Sequence, residues 1–171
     1  MKVLVVVDMQ VDFINGSLGT PYAEAIVDRV VEKVRGYDGA VIFTRDTHGE
    51  DYLDTREGRY LPVKHCIKGT RGFEICDELK PYADTVVDKI TFGSTDLPDV
   101  IRGLGGDIDE IELCGLCTDI CVISNAMILK AAFPECDIKV DGAYCAGVTP
   151  ESHIAALDAM RCVQIDVKPE S

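Results

Sequence analysis

The sequence predicts a doubly wound α/β fold: a mostly parallel, six-stranded sheet with helices on both faces. Three observations carry that expectation. Short β-branched apolar runs recur along the chain. Helical patterns, several opened by proline or a capping residue, separate them. Side chains rich in chemistry fall at or just past the ends of the apolar runs, where ligands of open α/β sheets bind.

Residues 2–7 form a continuous apolar run, as a strand buried on both faces requires. Pro21 then opens a helix whose spacing runs through Ala25, Ile26, Arg29, Val30, Lys33 and Val34, and Gly36 ends it. Residues 40–44 are a second buried strand. Residues 46–72 have no clear period and many polar residues and glycines; connections of that length usually carry function. A short helix is expected over 73–79, a third strand over 85–87 and a helix over 96–104. The fourth strand is 110–114. A long helix over 118–133 follows, with Thr118 as its N-cap, and then a fifth strand over 137–140. Thr149 caps a helix with Pro150 at its first position, running to about Met160. Residues 163–167 are the sixth strand. Strands alternating with helices imply parallel pairing and right-handed crossovers. With 171 residues and no internal repeat or linker, one domain over 1–171 is expected.

Composition narrows the partners. The net charge of −13 argues against nucleic acid, which needs a basic footprint. No apolar run approaches the roughly 18 residues that span a bilayer, so no membrane partner is expected. The apolar N-terminal run is too short for a signal peptide and lacks a cleavage site. A cytoplasmic protein is therefore expected, and its eight cysteines are read as reduced thiols rather than disulfides. Cys114 and Cys117 make a single C-x-x-C, which is compatible with redox chemistry or half a zinc site. There is no second such pair, and flanking Leu113 and Leu116 look buried, so Cys114 is assigned to packing. A homo-oligomer is compatible with the sequence, which does not specify one.

On this map Asp8 ends strand one, Asp46 and His48 follow strand two, Lys89 follows strand three, and Cys121 follows strand four at a helix start. One sheet edge thus receives a carboxylate, a metal-type pair, an ammonium and a thiol. Cys121 is the candidate nucleophile, because first-turn N–H groups, the positive helix end and a nearby Lys89 all lower a thiol's pKa. Asp8 is placed to take the thiol proton and return it to a leaving amine. Each residue also has a plain reading: a buried helix cysteine, a turn-capping aspartate, a surface lysine.

Two segments carry a resemblance: Val7-Asp-Met-Gln-Val-Asp-Phe13, and Leu113-Cys-Gly-Leu-Cys-Thr-Asp-Ile-Cys-Val122. With the intervening lysine they resemble, in order and approximate spacing, the isochorismatase-like cysteine hydrolases, which include the nicotinamidases. The resemblance spans nearly the whole chain. It implies an Asp8–Lys89–Cys121 triad and an oxyanion hole made by the backbone N–H groups of Cys117 and Cys121, next to a cis peptide between Leu116 and Cys117. Asp46-Thr-His48 resembles the nicotinamidase Asp-x-His, and His65-Cys-Ile-Lys-Gly-Thr70 the His-Cys-Val-x-Gly-Thr block. The resemblance therefore also implies that Asp46, His48 and His65 hold a divalent metal such as zinc, iron or manganese, with open positions for water and a ring nitrogen. No organic cofactor is implied. The third histidine, His153, falls in a late helix and is assigned to the surface.

One departure bears on substrate. Nicotinamidases usually carry Trp-Pro-x-His at the last metal histidine. This chain has no tryptophan and reads Tyr60-Leu-Pro-Val-Lys-His65, with one more residue between Pro62 and His65. Tyr60 or Leu61 would replace the missing aromatic wall, and Phe13 is a further ring contact. The implied activity is hydrolysis of a small-molecule amide, nicotinamide first, through a Cys121 thioester. The rivals are N-carbamoyl, ureido or other small amides and, in a different class, a non-catalytic binding or regulatory protein on the same scaffold.

Overall fold

The computed structural model describes residues 1–168. Its elements run β1 (Lys2–Val7), α1 (Val11–Ile14), α2 (Pro21–Gly36), β2 (Ala40–Asp46), α3 (Arg56–Tyr60), β3 (Val86–Lys89), α4 (Leu97–Gly103), β4 (Glu110–Leu116), α5 (Ile123–Ala132), β5 (Asp137–Ala146), α6 (Pro150–Cys162) and β6 (Asp166–Lys168). The six strands form one sheet in the order β3-β2-β1-β4-β5-β6, and every pairing is parallel. The doubly wound sheet expected from the alternating pattern is present. The order reverses beside β1, so right-handed crossovers put earlier and later helices on opposite faces. That reversal opens a crevice at the carboxyl ends of β1 and β4. No helix among the described residues is long and apolar enough to cross a membrane.

The apolar runs pair because they have no other way to hide both faces. Val3, Leu4, Val5, Val6 and Val7 are wholly buried, as are Ile111, Leu113, Cys114 and Leu116 beside them. Cys114 has the packing place assigned to it. Helix α2 buries Ala23, Ile26, Val30 and Val34, and its N-cap is Thr20, whose hydroxyl accepts the Ala23 N–H. Thr149 caps α6 with Pro150 following, as read from the sequence, in a capping box shared with Ser152.

Five expectations need correction. Residues 73–79 are not helical: they run alongside the start of α1, where Val11 N–H donates to Glu74 O and Cys76 N–H to Met9 O. Docking to that neighbour satisfies their backbone in place of helix bonds. The sixth strand starts at Asp166, because residues 163–165 close the end of α6 with bonds to Met160 and Arg161 carbonyls. The predicted long helix opens with a wide π turn (Thr118–Val122) before α5 begins. Thr118 does not cap it; its hydroxyl shares a 2.7 Å hydrogen bond with His153 Nδ1. His153 is accordingly buried, not on the surface. Helix α6 presents it inward at the spacing of its other buried residues, Ala156, Leu157 and Met160.

Gly115 lies where β4 passes close to the end of β1. Its φ is +114°, and a Cβ there would lie 2.2 Å from the carbonyl oxygen of Val7, the last residue of β1. Gly115→Ala must break either the left-handed backbone or the β1–β4 spacing. It is expected to cost about 2–4 kcal/mol, a drop in Tm of roughly 5–15 °C. Thermal unfolding followed by circular dichroism checks this; an unchanged Tm would show that the strand ends separate freely.

Candidate active site

Each strand end at the crevice delivers one reactive group. Asp8 directly follows β1 and adopts φ +47°, an uncommon conformation for a residue with a side chain. Its N–H bonds to Thr44 O at 3.2 Å, and the Thr44 hydroxyl donates to its Oδ1 at 2.7 Å. Asp46 and Lys89 end β2 and β3 and face each other in register. Cys121 sits inside the π turn after β4, and the Leu116–Cys117 peptide before that turn is cis.

These side chains meet. Lys89 Nζ lies 2.6 Å from Asp8 Oδ2, 3.4 Å from Asp46 Oδ1 and 3.6 Å from Cys121 Sγ, and it donates to Thr91 O at 3.1 Å. All four groups are buried, Asp8 completely. An ammonium in that setting survives only because it is surrounded by acceptors. Burial alone would lower its pKa, but Asp8, Cys121 and Asp46 raise it well above the usual lysine range. Lys89 therefore stays charged.

Burial acts the other way on the acids. It lifts the Asp8 carboxyl above its ordinary range despite the pull of Lys89. It also raises the Cys121 thiol, with the Asp8 charge adding to burial and Lys89 opposing it. The lowering expected from Lys89 and the turn's N–H groups is outweighed by desolvation of the thiolate. A thiol raised in this way needs a base, and the Asp8 carboxyl, itself raised by burial, is suited to take a proton and later release it.

A second cluster adjoins the first through Asp46. Its Oδ1 faces Lys89, while its Oδ2 lies 2.8 Å from His48 Nε2 and 3.4 Å from His65 Nε2. Glu57 Oε1 lies 3.5 and 3.6 Å from the same two nitrogens. The donor atoms of Asp46, His48, Glu57 and His65 all fall within 4.8 Å of one another. The three residues expected as metal ligands thus converge, and Glu57 joins them. Two observations fit a divalent cation. His48 Nε2 is buried without a well-aligned hydrogen bond. His65 Nδ1 is 2.8 Å from Val63 O, which orients the ring so that Nε2 points into the cluster. Burial alone would raise the Asp46 pKa, but the two imidazoles and Lys89 hold it well below the carboxylate range, so it is an anionic donor throughout.

Gln10 fixes this carboxylate in place. Its buried side-chain amide donates to Asp46 O and Phe73 O, and its Oε1 accepts the Asp46 N–H at 2.7 Å. Tyr52 stands behind both histidines, with ring centroids 4.7 Å from His48 and 4.9 Å from His65, and its hydroxyl donates to Leu61 O. Sequence reasoning missed Glu57, Gln10 and Tyr52. The available signal was the Gln in Asp-x-Gln, a long polar side chain between two apolar residues.

The expected substrate contacts are divided. Phe13 lies 5.5 Å from His65, ring to ring. Tyr60 and Leu61 line a cavity that also touches His48, Glu57 and Ile120, the chain neighbour of Cys121. Tyr60 is 78% exposed, so it borders the mouth instead of forming a packed aromatic wall.

The isochorismatase domain family model matches residues 2–168. A nicotinamidase/pyrazinamidase from Mycobacterium tuberculosis is 27% identical, with 98% of each chain aligned. An isochorismatase family protein from Bacillus subtilis is 31% identical over 74% of this chain and 76% of its own. Among solved structures, the zinc complex of Pyrococcus horikoshii pyrazinamidase superposes with a TM-score of 0.85 at 29% identity, over 99% of each chain. A nicotinamidase from Bacillus subtilis superposes with a TM-score of 0.78, also at 29% identity, over 98% of this chain and 99% of that one.

Proposed function

The chain belongs to the isochorismatase family, and from that premise we propose that it hydrolyses small carboxamides, nicotinamide first among them, to the acid and ammonia through a thioester on Cys121. The observation that carries this reading is a thiol, an ammonium and a carboxylate in contact at the carboxyl ends of the strands, sharing Asp46 with a four-donor cluster.

In this reading Asp8 takes the proton from the Cys121 thiol, and Lys89 steadies both the carboxyl and the new thiolate. Sγ attacks the amide carbonyl carbon. The oxyanion is received by the backbone N–H groups of Cys117 and Cys121. When the C–N bond breaks, the proton held on Asp8 goes to the departing nitrogen, which leaves as ammonia. Asp8, again a carboxylate, takes a proton from water, whose oxygen attacks the thioester carbonyl. The C–S bond breaks, the acid leaves, and the proton held on Asp8 returns to Sγ to restore the thiol.

Asp46, His48, His65 and Glu57 would hold a divalent ion; zinc, iron and manganese all suit two imidazoles and two carboxylates. When bound, such an ion supplies a Lewis-acidic seat for a ring nitrogen. Phe13 borders the same place, beside His65.

The test is ammonia release from nicotinamide and benzamide, side by side, on protein loaded with each metal in turn. Nicotinamide is expected to have the higher kcat/KM. Equal values would mean that the ring nitrogen is not read. No turnover of either would move the substrate to ureido or aliphatic amides.

A further inference from the structure

The cavity that reaches the four-donor cluster at His48 and Glu57 is larger than nicotinamide needs, and its outer wall is apolar. It measures about 1010 Å³, the upper end of the range that drug-sized ligands occupy. Its lining includes His48 and Glu57 of the four-donor cluster and Thr91, whose carbonyl accepts from Lys89. Its rim is Tyr60, Leu61, Ile90 and Phe92, of which Ile90 is 82% and Phe92 43% exposed. A cluster of exposed apolar side chains continuous with a catalytic crevice marks a binding surface.

We propose that this rim binds an apolar substituent on the substrate ring, so that the preferred substrates are neutral pyridine carboxamides substituted at the ring carbon meta to both the nitrogen and the amide. The inference rests on the function proposed above. In a six-membered ring, the nitrogen, the amide-bearing carbon and that third carbon point outward 120° apart. If the nitrogen meets the four-donor cluster and the amide meets Cys121, a group on the third carbon points away from both, toward the open mouth. There an alkyl or aryl group displaces water from Ile90, Phe92 and Tyr60, and burial of apolar area on both sides favours binding.

Charge sets the class. The protein carries −13 overall. Among the lining residues, Asp119 is acidic beside Glu57 of the four-donor cluster, and the one cation, Arg56, lies over the Tyr60 ring at 5.3 Å. With Arg56 engaged there, an anionic extension would face Asp119 and the apolar rim, so neutral apolar extensions are favoured over anionic ones.

The experiment compares kcat/KM for nicotinamide, 5-methylnicotinamide, 5-phenylnicotinamide and 5-carboxynicotinamide on the metal-loaded protein. Calorimetry of the same compounds with Cys121→Ala protein adds a readout independent of turnover. The phenyl compound is expected to exceed nicotinamide roughly fivefold or more in both, which is the scale of about 1 kcal/mol, and the carboxylate to fall below it. Ile90→Ser, at a side chain already mostly in water, is expected to bring the phenyl-to-nicotinamide ratio close to one. Turnover of nicotinamide with no phenyl advantage would overturn the inference and leave the proposed function standing. A phenyl advantage unchanged in Ile90→Ser would also overturn it. So would light scattering that shows a dimer dissociated by Ile90→Ser, because a second copy would then cover the rim. Turnover and binding of none of the four would overturn the proposed function together with the inference built on it.

Discussion

Cys121→Ala is expected to lower amide turnover by about four orders of magnitude or more, because no other thiol stands in its place. Lys89 Nζ and Asp8 converge on this one sulfur. Cys114 is wholly buried behind it among the strand residues, and burial pushes its thiol well up. Cys117 is also raised, to about 12. At Cys114 burial outweighs the pull of Lys33, and Cys117 has burial, Asp119 and Asp8 against it with no opposing ammonium. Loss of a single sulfur from a small buried site is mild for the fold, on the order of 1 kcal/mol, so circular dichroism and Tm are expected to stay close to the parent's. The measurements are steady-state ammonia release and intact mass after mixing with substrate, where the parent should show an acyl adduct and the variant none. Retention of more than about 1% of kcat/KM would remove Cys121 from the nucleophile's role.

How much of this was legible in the sequence depended on whether a signal was local. The run from Lys2 to Val7 specifies its strand outright, since six consecutive apolar or stem-bearing residues can only be hidden in the middle of a parallel sheet. Thr149-Pro150 fixes a helix start by capping chemistry within four residues. The convergence of Asp8, Asp46, Lys89 and Cys121 followed from strand ends sharing one edge. What escaped was set by contacts distant in sequence. Thr118 has the right composition for a cap, but its hydroxyl goes to His153, 35 residues later. The segment 73–79 has helix-compatible residues, yet its backbone is satisfied by the chain at Met9–Val11. Glu57 reaches the histidines only because α3 turns within a stretch that carries no period. The pKa order escaped for a related reason: the count of positive neighbours favours an ionised thiol, but the depth of burial, which no local pattern encodes, decides against it.

That depth of burial gives Asp8→Asn a distinctive expected result: turnover falls while the thiol becomes easier to ionise. The side chain is close to isosteric and keeps a carbonyl oxygen for the Thr44 hydroxyl, which donates at 2.7 Å in the parent. An amide cannot take the thiol proton or hand one to the leaving nitrogen, so kcat/KM is expected to drop by about 10²–10⁴. Lys89 loses its nearest anion but keeps Asp46 Oδ1 at 3.4 Å and Thr91 O at 3.1 Å, so its charge persists. The Asp8 charge is one of the causes that raise the Cys121 pKa, while Lys89 lowers it. Removing the first and keeping the second lowers the thiol's pKa and increases the thiolate fraction at a fixed neutral pH. Alkylation of Cys121 by iodoacetamide, followed by peptide mass spectrometry, is therefore expected to speed up in the variant, and nicotinamide hydrolysis on the same preparation to slow down. A general base has that signature, and a residue that merely supports the fold does not, since unfolding would expose all eight cysteines to the reagent together. Turnover within tenfold of the parent's would take the base role from Asp8. Slower alkylation in a folded variant would mean that Asp8 ionises the thiol in the resting protein and that burial does not dominate the site.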